Sequence, residues 1–218
     1  PLADIETALT EKNQMLGFEP PHFGDAAAGQ SKRNSLSDAS KGAHFMQLHA
    51  DGSAPASERA SPRESGATLG GTIACGFSGP RRPWAGSARD FVLGAKILNG
   101  KGETLRFGGQ VMKNVAGFDV SRLMAGALGT LGVLLEVSLK ILPRPEEELT
   151  LAFELPVDQA IATMNKWSGQ PLPLSAACHM GNILYIRMSG ARTALQAARA
   201  RLGGEVTEKG GALWHDLR

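Results

Sequence analysis

The chain has 218 residues, 42% hydrophobic and 20% charged, with a formal net charge of +2. That length allows one sizeable domain or two small ones with a real apolar core. The net charge is too small to point by itself to a nucleic-acid or membrane-surface partner.

From the N-terminus, the spacing of Ile5, Leu9 and Leu16 predicts a helix over 3–16, with Asp4 and Glu6 where the macrodipole favours them. Pro20-Pro21 closes it. Residues 25–65 are rich in Ser, Ala, Gly, Asp, Lys and Arg, and their sizeable apolar residues are Leu36, Phe45, Met46 and Leu48. With no stable period they cannot offset their ordering entropy, and we read a flexible insertion. Residues 66–71 form a turn feeding a short helix that ends near Cys75. Strands over 90–98 and 103–107 flank Asn99-Gly100-Lys101-Gly102 as a hairpin. A short helix over 121–127 takes Ser121 as its cap. Val133, Leu135, Val137, Leu139 and Ile141 then alternate with Leu134, Glu136, Ser138 and Lys140, a half-buried strand stopped by Pro143-Arg144-Pro145.

The remainder changes rhythm. Strands at 149–155, 175–179, 183–188 and 204–207 interleave with helices at 157–167 and 191–202. Strand–helix–strand–strand–helix–strand is the ferredoxin-like order, so the fold class is α+β with a second small domain over 146–218.

Cys75 and Cys178 form neither a disulfide framework nor a ligand pair and point to a reducing, cytoplasmic setting. No apolar run approaches the ~20 residues that a spanning helix needs. The start Pro1-Leu2-Ala3-Asp4 has neither a signal-peptide pattern nor an initiator methionine, as expected of a chain beginning inside something longer. His22, His44, His49, His179 and His215 lack metal-site spacing, so no metal is expected. There is no Gly-x-Ser-x-Gly elbow, and neither cysteine has a basic neighbour that would activate it.

The glycine-dense stretch 66–79 holds Gly66, Gly70, Gly71, Gly76 and Gly79. Clustered glycines let backbone N–H groups approach a ligand, and a helix start favours a phosphate; a tight turn packed on a sheet is the alternative. It is no Walker loop. The run Gly126–Gly132 has the wrong spacing for a dinucleotide fingerprint and precedes a strand. Pro80-Arg81-Arg82-Pro83-Trp84 is either a phosphate- or ring-binding loop or a solvated one.

Four runs sharpen this: Gly66-Ala67-Thr68-Leu69-Gly70-Gly71-Thr72, Ser78 through Gly86, Arg89 through Gly94, and Lys113-Asn114-Val115-Ala116-Gly117-Phe118-Asp119 on to Val133. Together they resemble the FAD-binding subunits of bacterial glycolate oxidases, within the vanillyl-alcohol-oxidase or PCMH-type flavoproteins. The resemblance covers 66–145 almost unbroken and 146–218 more loosely. It implies a second FAD-binding subdomain at 66–145 and a partial, ferredoxin-like cap at 146–218. Residues 1–24 would be a remnant of the first FAD subdomain, followed by the insertion at 25–65. Ala67, Thr68, Gly70 and Gly71 would lie along the pyrophosphate and flavin edge, Ser78 and Gly79 at the isoalloxazine, and Val133 at the adenosine end. Implied partners are a sister FAD-binding catalytic subunit, an iron–sulfur subunit and a small 2-hydroxy acid, with the chain at the inner face of the membrane through its complex. Without its first subdomain the chain is expected not to retain FAD tightly and to be inactive alone. The alternatives are a cofactor-free scaffold or assembly piece, and a nucleic-acid binder using Arg81, Arg82, Arg89 and Lys96, which the near-neutral charge disfavours.

Overall fold

The structure, a computed structural model, describes residues 1–22, 45–48, 67–109 and 117–218. In chain order its elements are α1 (Leu2–Glu11), β1 (Gln14–Leu16), β2 (Phe45–Leu48), α2 (Leu69–Cys75), α3 (Arg82–Ala85) and α4 (Ala88–Phe91). Then come β3 (Val92–Leu98), β4 (Thr104–Gly108), α5 (Val120–Leu123), β5 (Val133–Pro143) and β6 (Glu147–Glu154). The last are α6 (Val157–Ser168), β7 (Leu174–Met180), β8 (Ile183–Gly190), α7 (Arg192–Leu202), β9 (Glu205–Val206) and α8 (Gly210–Asp216). They divide into two units. Of the described residues, 79–85 and 144–218 belong to the second unit and the others to the first.

The first unit is built on β5. Its alternation holds from residue 136 on: Val137, Leu139 and Ile141 are buried while Glu136, Ser138 and Lys140 lie half-buried between them; Val133 and Leu135, expected on the same inward face, are exposed and half-buried. The antiparallel order is β1-β5-β3-β4, with β2 also on β5. The expected insertion at 25–65 lies outside the described residues except for β2. The helix expected over 3–16 stops at Glu11, because Asn13 takes a left-handed φ of 55°. Asparagine tolerates that conformation, and the chain turns there into β1. Phe18 and Phe91 pack with ring centroids 6.0 Å apart. Gly17 permits this, since a Cβ there would collide with the Phe91 ring.

Three local boundaries differ from expectation. The strand expected from residue 90 begins at Val92, because Ser87 and Asp90 cap the helical turn α4: Asp90 Oδ2 accepts from the Ser87 backbone N–H and from its hydroxyl, both at 2.8 Å. The cap of α5 is Asp119, whose Oδ1 accepts from Arg122 N at 3.1 Å, while Ser121 is buried inside the turn. The helix expected to reach residue 127 ends at Leu123; Gly126, Leu128, Gly129 and Gly132 all have positive φ.

The second unit has the expected ferredoxin-like order, with strands β7-β8-β6-β9 all antiparallel. Leu151, Ala160, Leu184, Ile186, Met188, Leu195 and Ala198 form its core. Trp167 leans on Phe153 with centroids 5.0 Å apart. Two elements had no periodic signal to announce them. One is α3, where Pro83 sits inside a four-residue turn; the other is α8, which opens on Gly210-Gly211 and buries Trp214. Trp214 Nε1 donates to Thr150 Oγ1 at 2.9 Å, so the buried indole is satisfied.

Candidate functional site

The glycine loop is set up by one threonine. Thr68 is extended (φ −112°, ψ 147°) and caps α2, its Oγ1 accepting from Gly71 N at 3.1 Å. Thr72 Oγ1 donates back to Thr68 O at 3.0 Å. Ala67 O accepts from Leu2 N at 2.9 Å, which ties the loop to α1. Leu69, Thr72 and Ile73 face inward and anchor the helix. What remains outward is Thr68 and Gly71, with Ala67 and Gly70 half-exposed beside them. A Cβ at Gly70 would meet nothing within 4 Å, so that face is open; at Gly71 it would press on Thr68 Oγ1 at 3.0 Å. The four residues expected at the pyrophosphate are therefore brought together on one accessible backbone edge.

The far end of α2 explains the Gly126–Gly132 run, which sequence reasoning set aside. Ile73 O accepts from Gly126 N at 3.0 Å and Ala74 O from Leu128 N at 2.9 Å, so this turn clasps the helix C-terminus. Gly76 (φ 71°) is crowded, since a Cβ there would lie 3.3 Å from Gly126 Cα, whereas Gly126 has open space and is set by its own φ of 82°. Leu128 is forced to φ 53° and is 68% exposed. With Leu131 and Val133, also exposed, it gives this end of the unit an apolar surface. Val133 opens β5 opposite Leu98.

Ser78 sits differently from the loop residues. It is 6% exposed, its Oγ donates to Gly76 O at 3.0 Å and accepts from Ala88 N at 2.9 Å. Its carbonyl accepts from Glu19 N at 2.9 Å. The hydroxyl is committed to holding the chain, which leaves only backbone for a ligand. Gly79 (φ 69°) belongs to the second unit.

Arg81 follows neither reading of its loop. It is 9% exposed, and its Nη2 lies 2.6 Å from Glu148 Oε1. Arg82 is exposed, and Trp84 packs against the second unit's core. Glu148, Ser175, Arg187 and Ser189, which sequence reasoning missed, form the network around this pair. Ser189 Oγ donates to Glu148 Oε1 at 2.6 Å and lies 2.6 Å from Ser175 Oγ, to which Arg187 Nε donates at 3.1 Å. Burial alone would raise the Glu148 carboxyl, but the Ser189 hydroxyl and the Arg81 and Arg187 guanidiniums together lower it. Asp90 is lowered chiefly by the Ser87 hydroxyl, and burial raises the Cys178 thiol. Each shift has a local structural cause. Among the described residues no cluster could hold a metal ion.

The first unit thus offers a small-residue backbone edge at a helix start and a clasping glycine turn, and the second unit is ferredoxin-like. No family model matches the chain. It is 44% identical over all 218 residues to glycolate oxidase subunit GlcE of Escherichia coli (strain K12), covering 50% of that protein. Glycolate oxidase subunit GlcD of Bacillus subtilis (strain 168) is 38% identical over 99 residues, 45% of this chain and 21% of the relative. D-lactate dehydrogenase of Anaerostipes hadrus is 30% identical over 148 residues, 67% of this chain and 29% of the relative. Alkyldihydroxyacetonephosphate synthase shares the fold over 99% of this chain and 42% of its own, with a TM-score of 0.58 at 16% identity. The likeness to GlcE runs the full length of this chain, and the fold is the one seen in alkyldihydroxyacetonephosphate synthase. It spans half the length of the GlcE relative and less of the other relatives.

Proposed function

We propose that the chain serves in an FAD-binding subunit of a glycolate or related 2-hydroxy-acid oxidase or dehydrogenase complex, contributing the second FAD subdomain and part of the cap. The identity of 44% to GlcE across all 218 residues, glycine loop and second unit included, carries this reading. The open face at Gly70 and the exposed backbone of Gly71 fit a phosphate-bearing cofactor, since no side chain stands in its way.

Ala67, Thr68, Gly70 and Gly71 would lie along the pyrophosphate and flavin edge, and Val133 at the adenosine end. Ser78 and Gly79 would meet the isoalloxazine by backbone. FAD, when bound, supplies the two-electron acceptor for converting a 2-hydroxy acid such as glycolate to its 2-oxo acid. The chain's part is to orient and enclose; none of Asp90, Glu148 and Cys178 is assigned as the proton acceptor. The partners proposed are a sister FAD-binding subunit that performs the oxidation and an iron–sulfur subunit that takes the electrons onward. The subunit names of the GlcE and GlcD relatives support such an assembly. Among the described residues no helix is long and apolar enough to cross a membrane, and we place the chain in the cytoplasm, at the inner membrane face through its complex.

Anaerobic addition of glycolate to the FAD-loaded protein with its sister subunits tests the reading. Bleaching of the flavin bound to this chain supports it. Retained, unbleached flavin limits the chain to support of the complex, and failure to take up flavin even within the complex makes it a cofactor-free scaffold.

A further inference from the structure

The Pro80–Trp84 cluster has no role in the proposed cofactor site, yet the fold treats its segment unusually. The chain leaves the first unit after Ser78 and returns to it at Gly86, and residues 79–85 between them belong to the second. The base of this strap is closed inside the first unit by one hydroxyl, Ser78 Oγ, which links Gly76 O and Ala88 N. Its turn is stiffened by Arg82 N donating to Gly79 O at 3.1 Å and Ala85 N donating to Arg81 O at 2.9 Å. It is tied into the second unit by the Arg81–Glu148 contact and by Trp84 against the core.

That contact differs from a surface ion pair. The Arg81 side chain is 10% exposed, and the Glu148 oxygen it meets at 2.6 Å is the one that Ser189 Oγ also bonds at 2.6 Å. A carboxylate held by a second donor cannot swing away cheaply, so both partners are fixed. Glu148 is 41% exposed along its side chain, so solvent screens part of the attraction and the effect is moderate.

We propose that Arg81 and Glu148 form a latch that makes the 79–85 strap part of the second unit and thereby fixes the backbone of Ser78 and Gly79. Arg81 is a positioning residue: it lies two residues along the chain from Gly79, and with the latch open the left-handed Gly79 (φ 69°) is free to move. Only the last step, that this backbone meets the flavin, rests on the FAD reading above.

The test uses the whole 218-residue chain and Glu148→Gln, which keeps the shape and removes the charge. Trypsin cleavage at the Arg81–Arg82 bond is followed by mass spectrometry, with amide exchange of Ala85 and Ala88. We expect cleavage about three- to tenfold faster in the variant, because proteolysis follows the population of the open form. Exchange at Ala85 and Ala88 rises while that of β8 stays as it was. FAD affinity falls by a similar factor, and Arg81→Lys, which keeps the charge, recovers part of it. Unchanged cleavage and exchange overturn the latch. Faster cleavage with unchanged affinity, in a chain that binds FAD, overturns the positioning role. If the native chain takes up no FAD even with its sister subunits, the functional reading fails, and cleavage and exchange alone support or overturn the latch.

Discussion

Replacing Ser78 by Ala separates a structural hydroxyl from a ligand contact. The change removes the acceptor of Ala88 N–H, and Ala88 is 0% exposed, so no water reaches the orphaned donor. An unsatisfied buried donor costs about 1–3 kcal/mol. Gly76 O, the other partner, is half-buried and can rehydrate at little cost. A loss of about 2 kcal/mol in the first unit follows, equivalent to a midpoint lower by roughly 4–16 °C. All three tryptophans, Trp84, Trp167 and Trp214, lie in the second unit, so their fluorescence follows that unit alone while far-UV dichroism follows both. The dichroism transition of Ser78→Ala should shift well below that of the native chain, with the tryptophan transition shifted less. A change under about 0.5 kcal/mol in the first unit, within the range of an ordinary surface substitution, would refute the reasoning. Lost flavin affinity at unchanged stability would return the hydroxyl to the cofactor.

Three other outcomes are expected. Gly70→Ala adds a methyl to open space in a helix and should stabilise the chain by up to about 1 kcal/mol, while FAD titration shows weaker binding because the methyl stands where the cofactor approaches. Trp214→Phe strands Thr150 Oγ1 and should cost about 1–3 kcal/mol, read as a lower urea midpoint of the second unit. The Glu148 carboxyl is lowered in the folded state, so its stabilisation is fully present above the unfolded carboxyl value and disappears as pH falls through the folded one. The urea-midpoint gap between native chain and Glu148→Gln should therefore be widest near neutrality and close in acid; a gap that grows in acid would contradict this.

What the sequence disclosed depended on periodicity. The alternation of Val133–Ile141 and the spacing of Leu195 and Ala198 are signals that burial imposes on many residues at once, and both elements formed where expected. Elements made by single residues were illegible. Asn13 ends α1 by one left-handed φ, Asp119 takes the cap that Ser121 was expected to provide, and α8 rests on one indole meeting Thr150 from 64 residues away. The site divides the same way. Thr68, Gly70 and Gly71 show as a glycine loop because backbone approach demands small residues in sequence. Glu148, which decides what Arg81 does, lies 67 residues from it and bears no local mark. The Gly126–Gly132 run was rightly set aside as a nucleotide fingerprint, but its use in clasping α2 through positive φ values left no mark in the sequence.

The central claim is that the edge formed by Ala67, Thr68, Gly70 and Gly71 holds FAD. A titration of the purified chain with FAD at equilibrium, followed by the flavin's visible spectrum without removing the excess, tests it most directly. A saturable spectral shift with the native chain that is lost in Gly70→Val is the predicted result. A shift equally strong in the variant would place the flavin elsewhere on the chain, and no shift with the native chain would contradict the claim.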